Sequence, residues 1–178
     1  IIFFLSWFNA SSQFSTESTE IKFAETLIDS TEKKFDSVLL IGVGSSVTRL
    51  FLDVLSDNFI DSLKGRKISA RYYYLGKNIK AAKKDFETIS NAGYKAILFF
   101  FPEGESFFNA QIFADRYITR LYTSYQQNFN FQLYIPGADM KKIWAASVEV
   151  SCDPSESKPA KEVSKKILLS FKNNKYIQ

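Results

Sequence analysis

Short apolar runs and stretches of helical spacing alternate along the first half of the chain. Apolar runs over 37–43 and 95–101 predict strands that are covered on both faces, and 67–75 also has the composition of a strand. Between these runs, apolar residues recur every three or four positions over 46–63 and 79–89, which predicts two amphipathic helices. Two strand–helix–strand units in succession indicate a parallel sheet with crossover helices.

Pro102 is predicted to end the last of these strands, and beyond it the chain has the pattern of an antiparallel hairpin. Apolar and polar residues alternate over 127–135, as in a strand with one buried and one wet face, and a similar alternation follows the next turn over 142–151. Aromatic and β-branched residues over 110–125 favour one further strand, with a helix as the alternative. Apolar spacing over 159–172 predicts a closing helix.

The amino-terminal segment has two predicted parts. Residues 1–10 are almost entirely apolar but are too few for the roughly 20 residues of a transmembrane helix. With the small residues behind them they match the apolar core of a secretory signal peptide, so we interpret 1–12 as a signal-peptide remnant, with a core strand as the alternative. Over 13–36 we predict a linker followed by a helix, because apolar residues fall at helical spacing.

These elements predict a single α/β domain over 37–178, with a mixed parallel and antiparallel sheet of five to six strands and flanking helices. A chain of 178 residues is long enough to bury a core without disulfides or metals.

The amino-acid composition then removes several kinds of chemistry. The chain has no histidine and a single cysteine, Cys152, which excludes Ser-His-Asp and Cys-His hydrolases, histidine-ligated zinc sites and internal disulfides. A net charge of +4 is too small to indicate a nucleic-acid partner. We therefore predict no catalytic residue, no metal, no cofactor, no nucleic-acid partner and no transmembrane segment.

The turn after the first buried strand is a candidate ligand site. Backbone amides and the helix dipole at such a strand-to-helix turn bind phosphate groups in many proteins. A dinucleotide fingerprint would need a third glycine where Val47 stands, so the alternative is a turn in which a serine caps the helix. The candidate residues are Gly42, Gly44, Ser45 and Ser46.

Two pairs of charged residues are further candidates. Arg116 and Arg120 would lie on the same face of a strand, where they could grip a carboxylate or phosphate, and ordinary surface charges are the alternative. Glu103 and Glu105 follow a buried strand at its carboxyl end, where open α/β sheets place ligands. Acid–base work in glycoside hydrolysis needs a defined carboxylate separation, so solvated loop acids are the preferred interpretation.

Lysines concentrate in the predicted carboxyl-terminal helix. From Ser157 to Gln178 there are six lysines and one acidic residue. A lysine-rich helix face suits an anionic membrane surface or an acidic partner, and a merely solvated face is the alternative. We call four of these residues, which lie opposite the predicted apolar stripe of the helix, the lysine stripe: Lys158, Lys161, Lys165 and Lys172.

Several short motifs share their order with a known group of proteins. They are VLLIGVG over 38–44, Ser46 to Arg49, Arg71 to Tyr74, NAGYKA over 91–96, Lys142 to Ser147, and Asp153-Pro154 before the lysine-rich helix. Over about residues 36–178 this order resembles a family of uncharacterised bacterial envelope lipoproteins. Their fold is like that of the amino-terminal domain of the Tol-system translocation protein, and similar to curli-secretion and penicillin-binding-protein-activator lipoproteins.

The resemblance implies an extracytoplasmic location, accessory or assembly roles and no catalytic residues. Residues 5–20 contain no cysteine that could carry a lipid, which departs from the family. Our first hypothesis is therefore a non-enzymatic periplasmic, outer-membrane-associated or secreted accessory protein. It would bind an envelope protein or an anionic membrane surface through a sheet edge or the lysine stripe. The alternative is a phosphate-ligand or nucleotide-binding enzyme that uses the turn at 42–46.

Overall fold

The computed structural model describes residues 20–29, 34–77, 92–114, 117–137, 140–152 and 156–178, with the backbone alone given for 104–114 and 117–126. These residues form six strands and two helices. In chain order they are β1 (Glu20–Leu27), β2 (Ser37–Gly42), α1 (Ser46–Lys64), β3 (Ser69–Tyr74), β4 (Ala96–Ala114), β5 (Tyr117–Ile135), β6 (Lys141–Cys152) and α2 (Ser157–Asn173).

All six strands belong to one mixed sheet with the order β1-β6-β5-β4-β2-β3. The first half of the chain supplies the parallel part, because β2 lies between β3 and β4 and runs parallel to both. The second half is antiparallel: β5 pairs with β4 and β6, and β6 also pairs with β1. The predicted α/β class, the mixed sheet of five to six strands and the flanking helices are confirmed.

The main core lies between one face of the sheet and the two helices. Alternate residues of β5 point inward and are fully buried, namely Phe129, Phe131 and Leu133. Apolar residues of both helices at three- and four-residue spacing cover them, as the helical periodicity predicted. The ring of Phe171 meets Trp144 edge-on at a centroid distance of 5.1 Å and joins α2 to β6.

The parallel half of the sheet also buries apolar residues on its other face. Leu39 and Ile41 of β2 pack there with Ile97 of β4. Every residue of β2 after Ser37 is buried, which confirms the prediction that this apolar run is covered on both faces.

The helix predicted within 13–36 is wrong, because residues 20–27 form the edge strand β1. Ile21 and Phe23 pack against the core, whereas Ala24 and Ile28, which completed the helical spacing, are exposed. The strand is fixed by its pairing with β6, which lies far away in the sequence. The long-range pairing of β1 with β6 therefore determines the structure of this segment, and the local spacing of its apolar residues does not.

The single strand predicted over 110–125 is also wrong, because these residues are divided between the end of β4 and the start of β5. The two strands pair antiparallel as far as Ala114 and Tyr117. Pro102 does not end β4. The edge of β4 that faces β2 is paired only as far as Phe100, so the missing amide hydrogen of Pro102 removes no hydrogen bond between strands.

Two predicted segments, the signal-peptide remnant over 1–12 and the helix over 79–89, lie outside the described residues. Neither α1 nor α2, the helices of the described ranges, combines the length and the hydropathy needed to cross a bilayer.

Two buried serines of α2 provide a test of the packing. The Ser170 hydroxyl accepts a hydrogen bond of 2.9 Å from the indole Nε1–H of Trp144, whereas the Ser164 hydroxyl has no hydrogen-bond partner among the described residues. We expect Ser170→Ala to lower the free energy of unfolding by about 1–3 kcal/mol, because the buried indole donor loses its acceptor. Ser164→Ala should be neutral or slightly stabilising, because alanine is the better helix former.

Urea denaturation of both variants measures the difference. Equal losses of stability in the two variants would contradict this account of the Trp144 contact.

Candidate functional site

The turn between β2 and α1 brings the predicted glycines and serines together at the carboxyl end of β2. Gly44 has φ +139°, a conformation that side chains rarely adopt. Ser45 caps α1, because its hydroxyl accepts a hydrogen bond of 3.1 Å from the Thr48 amide. Ser46 is the first, exposed residue of the helix. The capping interpretation is therefore confirmed.

Three backbone amides around this turn already have acceptors within the protein. The Val43 amide donates to the carbonyl of Phe100 at 3.2 Å, and the Gly44 amide donates to the carbonyl of Gly76 at 3.2 Å. The Thr48 amide donates to the cap described above. A phosphate at this turn would compete with these bonds, because a cradle for anions needs amides that point outward. Phosphate binding at Gly42 to Ser46 stays a prediction.

Side chains of α1 and β3 cover the turn. The Tyr74 hydroxyl donates to the Ser45 carbonyl at 2.5 Å, and the Arg49 guanidinium lies 5.4 Å from the centre of the Tyr74 ring. Arg49 also forms an ion pair with Asp53 at 3.4 Å, between two exposed side chains. These contacts tie the start of α1 to the neighbouring strand.

The Tyr72 hydroxyl lies beneath this turn and has no hydrogen-bond partner among the described residues. Burial, followed by the nearby Asp53 carboxylate, raises the pKa of Tyr72 above its usual range. A β-carbon on Gly42 would lie 2.7 Å from this hydroxyl, so β2 must end in glycine to let the ring pack.

A buried polar bridge links α1 to the centre of the sheet. The Thr48 hydroxyl donates to Oε1 of Gln127 at 3.1 Å, and both side chains are fully buried. Because the single hydroxyl proton of Thr48 is used there, the Ser45 hydroxyl, 3.1 Å away, is the donor in its contact with Thr48. The cap and the bridge therefore form one continuous network.

The face of the antiparallel strands opposite the helices is polar, and we call it the open sheet face. A cleft of about 260 Å³ crosses it, and its lining includes Lys22, Glu103, Asn128 and Glu149. Lys22 forms ion pairs of 3.4 Å with Glu149 and with Glu20. The Glu149 carboxylate, and then Glu20, raise the pKa of Lys22.

Aromatic rings border this open sheet face on the side of β4. Phe99 stacks on Phe101 with ring centroids 5.3 Å apart, and it meets Tyr134 edge-on at 5.5 Å. All three rings are partly exposed. The face thus combines aromatic surface, amides and carboxylates.

The acidic pair of the sequence analysis lies within β4, so the prediction that these acids belong to a loop is wrong. Glu103 is exposed and accepts a hydrogen bond from the Asn130 side-chain amide on β5. Glu105 lies opposite Gln127 after a β-bulge, and the structure gives its backbone alone. Within the described ranges, no three His, Cys, Asp or Glu side chains lie close enough to share a metal ion.

The two candidate arginines are only partly described. Arg116 lies outside the described residues, and Arg120 belongs to β5 with its backbone alone given. Their joint binding of an anion stays a prediction.

The lysine stripe is where the sequence pattern placed it. All four of its lysines are exposed, and the opposite side of α2 is buried by the predicted apolar residues Ala160, Val163, Ile167 and Phe171. The geometry leaves the charged face accessible along the helix. Binding of an anionic surface or an acidic partner by this face stays a prediction.

A long two-stranded ribbon is a feature that the sequence analysis missed. After Phe100, β4 pairs with no described strand other than β5, and β5 pairs with β6 only from Tyr125 onward. The seven residues of β4 over 108–114 therefore lie in a two-stranded part that extends about 24 Å at the usual rise of a strand. We call residues 108–114 and 117–124 the β4–β5 ribbon.

Comparison with known proteins finds no protein-family model and no curated protein that matches the chain. Among solved structures, the chain is similar to the PelC dodecamer from Paraburkholderia phytofirmans, with 10% sequence identity and a TM-score of 0.54. The match covers 89% of this chain and 99% of that chain. A second structure of the PelC dodecamer, of a variant, matches over the same shares with 9% identity and a TM-score of 0.53.

A PDZ domain protein from Parabacteroides distasonis has a TM-score of 0.40 and 10% identity. That match covers 90% of this chain and 37% of that one. At these identities, the likeness to PelC shows a shared fold.

Two glycines test the geometry of the turn. We expect Gly44→Ala to lower the free energy of unfolding by about 1–3 kcal/mol, because φ is positive and the new β-carbon would lie 2.6 Å from Cγ2 of Thr48. Gly65→Ala is the matched control. Gly65 has an ordinary helical φ of −59° and its nearest contact would be 3.7 Å away. This control should be neutral, or stabilising by about 0.4–1 kcal/mol.

Thermal and urea unfolding of the two variants measure the effect. A Gly44→Ala protein as stable as Gly65→Ala would refute the strained geometry of the turn.

Proposed function

We propose that this protein is a non-enzymatic accessory protein of the bacterial envelope that acts by binding other macromolecules, and first of all other copies of itself. Its place would be the periplasm, the outer membrane or the cell surface. The β4–β5 ribbon carries the proposal, because its backbone extends beyond the strands that could pair with it.

A ribbon of two strands is only marginally stable in water unless a third strand or another surface packs against it. Along the ribbon, β4 has an open edge on one side and β5 has an open edge on the other, among the described strands. Open edges pair readily with a strand of another chain. The sequence of the ribbon is also rich in aromatic residues: Phe108, Phe113, Tyr117 and Tyr122.

Self-association supplies the missing contacts most simply, because each copy brings the same two open edges. The solved PelC structure with a similar fold is a dodecamer, which supports an assembly of identical subunits here. The apolar residues 1–10 and the resemblance to envelope lipoproteins support an extracytoplasmic location. In such an assembly the lysine stripe would face an anionic membrane surface or an acidic envelope protein.

The nucleotide-binding enzyme is not favoured as a second function. That hypothesis needs backbone amides at 42–46 that are free to bind a phosphate. Three amides near this turn already donate to acceptors within the protein.

Shortening the ribbon tests self-association. We expect the chain of 20.4 kDa to form an assembly several times that mass in light scattering. A variant with residues 108–124 replaced by Asn-Gly would close the hairpin between the paired residues Phe107 and Tyr125, in a turn type suited to two-residue loops. This variant should be monomeric. Its circular dichroism spectrum should still show the helices and the strands that lie outside the ribbon.

A double variant of Lys161→Gln and Lys165→Gln, which changes an exposed helix face instead, should assemble like the parent protein. A monomeric parent chain, or an assembly that survives ribbon shortening, would rule out this role of the ribbon.

Location is tested separately in cells that express the complete gene product. We expect fractionation to place the protein outside the cytoplasm, and mass spectrometry to find a mature amino terminus near Ser12 or Gln13, because signal peptides are removed on export. An uncleaved protein in the cytoplasm would overturn the envelope assignment.

A further inference from the structure

A cavity of about 600 Å³ opens at the amino-terminal ends of the parallel strands, on the side of the sheet away from the turn at 42–46. It lies where Asp36 enters β2, Ile68 precedes β3 and Lys95 precedes β4, and Ile177 and Gln178 complete it. Because parallel strands begin at the same edge of a sheet, residues far apart in the sequence meet here. Its volume lies within the range of about 300–1,000 Å³ that is usual for small-molecule sites.

The floor of this cavity is apolar and continuous with the core. Phe35, Ile68 and Ile177 are buried residues that line it. The Phe35 ring stacks on Tyr176 at 5.7 Å, and the Phe35 amide donates to the Tyr176 carbonyl at 3.2 Å. The floor is therefore held in place before any ligand arrives.

The rim of the cavity is cationic. Four basic side chains and one acidic side chain line it, and all five residues are exposed: Lys34, Asp36, Arg66, Lys67 and Lys95. The ammonium groups of the three lysines have no ion-pair partner among the described residues. Like charges gathered around one concavity raise the local positive potential and attract an anion.

The remaining two charges of the rim are engaged by the protein. Arg66 donates to the backbone oxygen of Gln178. The Asp36 carboxylate accepts from the Ser37 hydroxyl at 3.0 Å, and the Ser37 hydroxyl accepts from the Lys95 amide at 3.2 Å. The bond through Ser37 ties the segment before β4 to the segment before β2. The spacing of the lysines is thus set by the fold.

We propose that this cavity binds a small molecule that carries a phosphate or carboxylate group on a short apolar body. The anionic group lies among Lys34, Lys67 and Lys95, and the apolar body lies against the floor and against Ile135, which is half-buried on the wall. The site is independent of self-association and of the β4–β5 ribbon. The same chemistry is found in soluble ligands and in the headgroup region of anionic lipids.

Calorimetric titration of the full chain with octyl phosphate, below the concentration at which it forms micelles, tests the proposal. Inorganic phosphate lacks the apolar body and 1-octanol lacks the charge, so both should bind at least about tenfold more weakly than octyl phosphate. Affinity for octyl phosphate should fall as NaCl is raised, because salt screens exposed charges.

Variants then locate the binding site. Lys67→Gln combined with Lys95→Gln should weaken octyl phosphate binding on the order of tenfold. Lys77→Gln combined with Lys166→Gln makes the same change of charge at exposed positions outside the cavity and outside the lysine stripe, and should leave octyl phosphate binding unaltered. Ile135→Ala should weaken octyl phosphate but not inorganic phosphate.

Vesicles of phosphatidylglycerol identify the source of the anion. If vesicle binding falls in the Lys67 and Lys95 variant relative to the Lys77 and Lys166 control, the ligand is a lipid headgroup; if only octyl phosphate binding falls, the ligand is soluble. The proposal is overturned if octyl phosphate shows no binding at millimolar concentration, or if the two lysine variants bind it equally.

Discussion

The edge-on contacts of the Phe171 ring are the interaction on which the rest of the structure depends. The ring meets Phe35, Phe59, Trp144 and Tyr176 at centroid distances between 5.1 and 6.0 Å. These partners come from both sequence ends of the domain, from α1 and from β6, so one side chain joins the helical layer to the sheet. With both helices held on one face, the antiparallel strands keep a polar face toward solvent, and Tyr176 and Ile177 are held beside the cationic cavity.

Much of the fold could be predicted because most elements have an unambiguous hydrophobic period. The run over 37–43 is too short for a helix and ends at a glycine turn, and the alternation over 127–135 has the period of a strand. By contrast, β1 only partly buries two apolar residues, Ile21 and Phe23, and a chance helical spacing of apolar residues in 13–36 predicted a helix instead. The lengths of β4 and β5 depend on the pairing of their two backbones, and this pairing leaves no side-chain period that could have shown where either strand ends.

For the candidate sites, too, a site with a local sequence signal could be predicted, and a site assembled from distant parts of the chain could not. The cap at Ser45 could be predicted, because a serine between a glycine turn and an amphipathic stretch is a local signal. The cationic cavity could not, because Lys34, Lys67 and Lys95 are far apart in the sequence and each looks like an ordinary surface lysine. Only the parallel arrangement of β2, β3 and β4 gathers them at one edge, and parallel topology is a property of the whole sheet.

The pairing of β1 with β6 also determines when the chain can fold. Lys22 and Glu149, which meet across these strands, are 127 residues apart. Contacts of such separation slow folding, because a long loop must close before they form. The edge strand β1 therefore has no partner until β6 has been synthesised. A nascent chain with this topology stays incompletely folded until β6 has left the ribosome.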